Sequence, residues 1–167
     1  MVQYYLYKKY DDAKLRKIRD FFENNGISYI EKDTLSEEGS KKESDNWNDI
    51  NREIFPVVRI GEKVRALLFD PPEAILRKVL LHDTAAAGLN GHVTVYFAQW
   101  CGHCRIAKDF LAEYNVKFKE IDIEIDNKSV HKIVRWSLGR KVIPTILVGN
   151  EMIMFSPNEE MLMAVFS

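Results

Sequence analysis

Val93-Thr94-Val95-Tyr96-Phe97-Ala98-Gln99-Trp100-Cys101-Gly102-His103-Cys104-Arg105 is the stretch around which the chain is organised. Its first five residues are apolar with β-branched side chains, and they read as a buried strand. A short polar turn follows, and then a helical pattern opens on two cysteines spaced C-x-x-C. They are the only two cysteines in 167 residues. A C-x-x-C pair placed just after a strand and at the start of a helix is the arrangement of a redox-active dithiol.

The reason is electrostatic. Disulfides are attacked by the thiolate, and a cysteine at a helix N-terminus sits beside unpaired N–H groups and the positive end of the helix dipole, which lower its pKa. Cys101 is therefore the candidate nucleophile and Cys104, one turn further in, the candidate resolving thiol. His103 between them adds positive character or a hydrogen bond to the thiolate, which favours the reduced form and makes the disulfide more oxidising. Two other readings compete. A structural zinc site takes four ligands, normally from two such pairs, whereas this chain has one pair and four histidines, no two of them three or four residues apart. The alternative of two inert, buried cysteines leaves their spacing and placement to coincidence.

Composition sets the outer bounds. The chain is long enough for one domain or two small ones, and 46% hydrophobic and 29% charged residues is an ordinary globular mixture. A formal net charge of −1 gives no steering toward nucleic acid or an acidic membrane surface. No apolar run approaches the ~18 residues of a membrane span. The segment Met1-Val2-Gln3-Tyr4-Tyr5-Leu6-Tyr7 lacks the basic leader and small-residue cleavage site of a signal peptide. The expectation is a cytoplasmic protein whose C-x-x-C pair is kept reduced and cycles in catalysis.

Taken in order, residues 4–9 read as a strand, Asp11-Asp12 as a helix cap, and Leu15, Ile18, Phe21 and Phe22 as the apolar stripe of a helix stopped by Asn24-Asn25-Gly26. Ile27 to Ile30 is a second short strand. Residues 34–53 are strongly polar, with Trp47, Ile50 and Ile54 predicting a helix in the second half of that stretch. Residues 55–64 read as two strands turning at Gly61-Glu62, and Pro71-Pro72 starts a helix bearing Ile75, Leu76, Val79 and Leu80.

Residues 92–167 repeat this order: strand 93–97, helix 102–114, strand 116–122, helix 126–138 stopped by Gly139, two strands turning at Gly149-Asn150, and a helix after Pro157. Tyr7 falls on Tyr96, Phe21 on Phe110, Asp33 on Asp122, Phe55-Pro56 on Ile143-Pro144, Gly61 on Gly149, and Phe69-Asp70-Pro71 on Phe155-Ser156-Pro157. A period of about 87 residues is too long for a solenoid and fits tandem domains. The boundaries read as 1–82 and 92–167, with 83–91 as a linker whose Ala85-Ala86-Ala87 alternatively prolongs the preceding helix. The positions matching Cys101 and Cys104 are Asp12 and Leu15, so the first half cannot do disulfide chemistry; packing, dimerisation or holding a partner are the roles left to it.

Trp100-Cys101-Gly102-His103-Cys104 is identical to the active-site pentapeptide of protein disulfide isomerases and similar to that of thioredoxins. The remainder of residues 91–167 resembles the shorter glutaredoxins and glutaredoxin-like redoxins. The resemblance implies an α/β fold of two tandem thioredoxin-like, glutaredoxin-size domains, each a four-stranded mixed sheet flanked by helices. It also implies that Pro144 is a cis-proline facing the cysteines and that Ile143 offers backbone groups to an extended substrate; Trp100, beside the first thiol, reads either as a partly exposed aromatic useful for docking or as simple packing. Gly102 and His103 complete the supporting set. Pro56 is expected to share the geometry of Pro144 without its function.

The implied activity is thiol–disulfide oxidoreduction on protein disulfides, with neither cofactor nor metal. Glutathione-using glutaredoxins carry a lysine where this chain has Ala98, threonine and valine where it has Val142-Ile143, and a Gly-Gly and Asp where it has Met154 to Asn158. Lys141 is a partial match to their arginine. The Phe155-x-Pro157 pattern resembles redoxins reduced by a thioredoxin-reductase-like flavoenzyme. That flavoenzyme is thus expected to be a better electron donor than glutathione. The alternatives are an electron relay to a peroxidase, as in flavoproteins that pair a cysteine-free thioredoxin-like repeat with a C-x-x-C one, and a module that binds a metal or iron–sulfur cluster through the pair.

Overall fold

The computed structural model describes residues 1–50, 53–83, 85, 86, 89 and 91–167. The first half runs β1 (Tyr4–Lys8), α1 (Ala13–Asn24), β2 (Tyr29–Asp33), α2 (Glu38–Asp45), β3 (Val57–Ile60), β4 (Ala66–Phe69), α3 (Glu73–Leu81). The second half runs β5 (Val93–Phe97), α4 (Gly102–Glu113), β6 (Phe118–Asp122), α5 (Asn127–Trp136), β7 (Thr145–Val148), β8 (Met152–Phe155), α6 (Glu159–Phe166). Each half is a thioredoxin-like unit. Its first two strands are parallel across a helical crossover, and its last two form an antiparallel hairpin against the first strand.

Local chemistry explains the elements. Asp12 caps α1 by accepting the Leu15 N–H at 3.0 Å, and Leu15, Ile18, Phe21 and Phe22 bury the stripe that the spacing predicts. The repeat holds in backbone detail. Gly61 (φ 91°) matches Gly149 (φ 53°) in the hairpin turns, and Asp70 (φ 44°) matches Ser156 (φ 46°) after the last strand of each half. Gly91 lies against the second of these turns: a β-carbon on it would stand 2.6 Å from the Gly149 nitrogen.

The two four-stranded sheets are not separate. They join edge to edge into one eight-stranded sheet of order β2-β1-β3-β4-β8-β7-β5-β6. That order reads the same when the halves are exchanged. At the joint, β4 and β8 are antiparallel, with Ala66 opposite Met154, Leu67 opposite Ile153 and Leu68 opposite Met152. The flanking hydrogen bonds are equivalent too, Phe155 N–H to Arg65 C=O at 2.9 Å and Phe69 N–H to Glu151 C=O at 3.0 Å. A pseudo-twofold axis therefore passes between Leu67 and Ile153. The joined residues are fully buried, so the centre of the core lies between the halves. Pairing the two edges satisfies backbone groups that would otherwise form exposed strand edges.

A second contact ties the halves on the helical side. The Trp47 indole N–H donates to the Trp136 carbonyl at 3.0 Å, and the Trp136 indole N–H donates to the Asp49 carboxylate, which also pairs with Arg135 at 3.0 Å. This corrects the sequence expectation for Trp47 and Ile50. The helix ends at Asp45, where the Asn46 side chain takes the Lys42 and Glu43 carbonyls, and Trp47 is buried by tertiary contact. Smaller boundaries also differ, among them β2, which runs Tyr29–Asp33 where Ile27 to Ile30 is expected. The helix after Asp126 stops at Trp136, since Leu138 (φ 61°) and Gly139 (φ 114°) are left-handed. The first-half hairpin resumes at Ala66. The last helix of the first half ends at Leu81 before left-handed His82 (φ 55°), so Ala85 and Ala86 do not extend it; Ala87 and Gly88 lie outside the described residues.

Candidate active site

Cys101 is the N-cap of α4. Its backbone is extended (φ −85°, ψ 106°), and its sulfur accepts the Cys104 N–H at 3.1 Å. The two sulfurs are bonded to each other, with the α-carbons 5.3 Å apart. The Cys101 N–H donates to the Ala98 carbonyl at 3.1 Å, which closes the turn out of β5 and aims the side chain along the start of the helix. Relative exposure is 8% for Cys101 and 1% for Cys104, so any group reaching the disulfide from solvent meets Cys101 first. A sulfur in the cap position accepts a hydrogen bond that stabilises its anion and stands at the positive helix end.

The equivalent place in the first half holds a natural anion. Asp12 caps α1 through the same bond, to the N–H three residues on, that Cys101 makes in α4. The frame is shared, and only the second half carries sulfur in it.

The structure brings the prolines to matching positions. Ile143–Pro144 and Phe55–Pro56 are both cis peptide bonds. Tyr96 of β5 stands opposite Thr145 of β7, so Ile143 and Pro144 lie at the same end of the sheet as the 98–101 loop. The segment is pinned by the Thr145 hydroxyl donating to the Val142 carbonyl at 2.7 Å and by the Ser156 N–H donating to the Pro144 carbonyl at 2.7 Å.

The other expected site residues divide. Trp100 is 69% exposed, and its indole N–H donates to the Glu124 carboxylate. Glu124 was not singled out by sequence; it lies in an irregular loop after β6 where no periodicity marks it. Ile125 beside it is 83% exposed. Gly102 faces open space, with nothing within 4 Å of a would-be β-carbon, so crowding by the fold does not require glycine there. His103 is exposed and, among the described residues, makes no hydrogen bond to either sulfur. The Lys108 ammonium of α4 pairs with Glu120 at 2.9 Å and lies 3.9 Å from the centre of the Phe97 ring. Ala98 is 2% exposed. Among the described residues, no group of three or more His, Cys, Asp or Glu side chains is placed to hold a metal ion, and no helix is long and apolar enough to cross a membrane.

The second half of the sequence is similar to known proteins. The glutaredoxin family matches residues 93–153, from β5 into β8. A putative glutaredoxin of Mycobacterium tuberculosis (strain CDC 1551 / Oshkosh) is 24% identical over 68 residues, covering 41% of this chain and 81% of the relative. A putative glutaredoxin of strain ATCC 25618 / H37Rv matches to the same extent. The crystal structure of a glutaredoxin from Archaeoglobus fulgidus is 27% identical, with a TM-score of 0.38, covering 43% of this chain and 82% of that one. The segment that carries both cysteines and Pro144 is thus similar to glutaredoxins.

Proposed function

We propose that the protein is a thiol–disulfide oxidoreductase acting on protein disulfides. The observation that carries this reading is the Cys101 sulfur in the N-cap position of α4, hydrogen-bonded by the Cys104 N–H and within bonding reach of the Cys104 sulfur. The Cys101 thiolate attacks one sulfur of a substrate disulfide; that S–S bond breaks, one substrate thiolate leaves, and a mixed disulfide remains on Cys101. The Cys104 thiolate then attacks the Cys101 sulfur and releases the second substrate thiol. The substrate gains two electrons and the Cys101–Cys104 pair loses them. Trp100 and the Ile143–Pro144 backbone flank the approaching substrate strand, and Gly102 leaves the approach open. The working division is a thiol-free unit over 1–82, a link over 83–91 and a redox unit over 92–167.

The electron donor in this reading is a thioredoxin-reductase-like flavoenzyme in preference to glutathione. Glutathione recognition needs a cation and free backbone donors for its carboxylates. Ala98 supplies no cation. The N–H groups of Phe155 and Ser156 are engaged, by the Arg65 and Pro144 carbonyls, and the Asn158 side chain caps α6 by accepting the Met161 N–H at 2.9 Å. Lys141 is exposed and is the one counterweight. The test assays both donors on the same oxidised protein: NADPH with the flavoenzyme should turn it over faster than millimolar glutathione, and the reverse order overturns the assignment. A reduction potential near ~ −270 mV marks a reductant and one near ~ −180 mV an oxidant or isomerase.

One observation favours a second reading, relay of electrons to a peroxidase: the thiol-free unit is fused to the redox unit through a shared sheet. Thiol-dependent peroxide consumption on adding a peroxidase distinguishes relay from direct substrate reduction.

A further inference from the structure

α4 and α6 lie side by side on the redox unit, and a groove of about 390 Å³ runs between them. Its floor is apolar: Ala107, Phe110 and Leu162 are buried at 2%, 8% and 2% exposure, and Ile106 stands over them at 62%. His103, the residue between the two cysteines, lines the upper end. His103, Ile106, Phe110 and Glu113 form one stripe of α4, so the groove leads away from the disulfide for about 15 Å.

Apart from His103 at the upper end, the ionisable side chains lining the groove are all carboxylates. Asp109 and Glu113 from α4 and Glu159 from α6 line the groove, with no lysine or arginine. Among the described residues, none of these carboxylates is in an ion pair or hydrogen bond, unlike Glu31, Glu43, Asp49 and Glu120 elsewhere on the chain. Arg105 and Lys108 of the same helix do not line the groove.

We propose that this groove docks the segment of the protein substrate next to its disulfide, and that it selects a basic segment. An apolar side chain lies over Ile106 and Phe110, and a lysine or arginine faces Asp109, Glu113 and Glu159. An extended chain covers about 3.3 Å per residue, so carboxylates roughly 9–15 Å along the groove read positions about three to five residues from the substrate cysteine. The same carboxylates repel acidic substrates, glutathione among them. The inference rests on the oxidoreductase reading and adds the substrate class to it.

The test uses the full chain in its reduced form, two peptide disulfides that differ only in lysine or glutamate at those positions, and hydroxyethyl disulfide as a small neutral control. The lysine peptide should be reduced about tenfold faster than the glutamate peptide at low salt, and the ratio should shrink toward one at about 0.5 M salt, where screening is nearly complete. D109N/E113Q/E159Q should bring the ratio near one at low salt, and D109K/E113K/E159K should invert it, both with unchanged rates on hydroxyethyl disulfide. Equal peptide rates in the wild type, or a preference that survives neutralisation, overturn the groove assignment while leaving the redox chemistry standing. No reaction with hydroxyethyl disulfide overturns the oxidoreductase reading itself, and this inference with it.

Discussion

Replacing Trp47 with phenylalanine keeps an aromatic ring in the core but removes the indole N–H that the first half donates to the second. The acceptor is the Trp136 carbonyl, in the last turn of α5. Carbonyls at a helix C-terminus have no partner within the helix, and among the described residues this one accepts no hydrogen bond other than that from Trp47. Trp47 is 0% exposed and Trp136 3% exposed, so water does not replace the lost donor without reopening the joint. A buried acceptor left unpaired costs about 1–3 kcal/mol. The smaller ring leaves roughly 40 Å³ unfilled beside Tyr7 and Phe69, at about 24 cal/mol per Å³ another ~1 kcal/mol. The sum, about 2–4 kcal/mol, lowers Tm by roughly 5–15 °C for a chain of this length. Urea unfolding followed by circular dichroism, with calorimetry in parallel, measures it. Because the halves share one sheet and one core, the wild type should unfold in a single transition. A loss well under ~1 kcal/mol, or two resolved wild-type transitions, would refute the claim that this contact and the β4–β8 joint make the halves one folding unit.

Two further outcomes follow from the structure. Asp12→Ala removes the α1 cap and should cost about 1 kcal/mol in urea unfolding while leaving the alkylation rate of Cys101 unchanged; an altered alkylation rate would mean that the two cap sites communicate. The Arg19 guanidinium, hydrogen-bonded to both oxygens of Glu31, holds that carboxyl below its usual range, with Lys8 3.7 Å away assisting. A depressed carboxylate pKa contributes stability that is complete above the unfolded value of about 4.3 and is lost as pH falls through the folded value. Arg19→Gln should therefore destabilise at pH 7 and converge with the wild type as pH falls through the depressed Glu31 value, as read from urea midpoints; a difference constant with pH would contradict the assignment.

Much of the fold was legible because each half repeats the other. Tyr7/Tyr96, Gly61/Gly149 and the two prolines occupy equivalent backbone positions, and the caps of α1 and α4 could be read from Asp12 and Cys101. The sheet joint was not legible. Ala66 to Phe69 and Met152 to Phe155 are apolar runs with no alternation, which shows that both faces are covered but leaves the lateral partner open. Trp47, Ile50 and Ile54 fall at helical spacing, yet Trp47 is buried against Tyr7 and Phe69 and donates to a carbonyl 89 positions away, and local periodicity carries no trace of either contact. At the site, the cysteines and Pro144 stood out by type and placement. Glu124, which holds Trp100, and the acidic rim between α4 and α6 depend on which loop and helix faces meet in space.

The central claim is that Cys101 attacks and Cys104 resolves, and trapping the intermediate tests it most directly. Reduced Cys104→Ser protein is mixed with a peptide disulfide, quenched in acid and weighed by intact mass spectrometry, with Cys101→Ser treated alongside. The account predicts that Cys104→Ser accumulates one covalently held peptide, released by reductant and mapped to Cys101, whereas Cys101→Ser stays unmodified over the same time. A peptide held on Cys104 in Cys101→Ser, with Cys104→Ser left bare, would reverse the roles and contradict the assignment built on the cap position of Cys101.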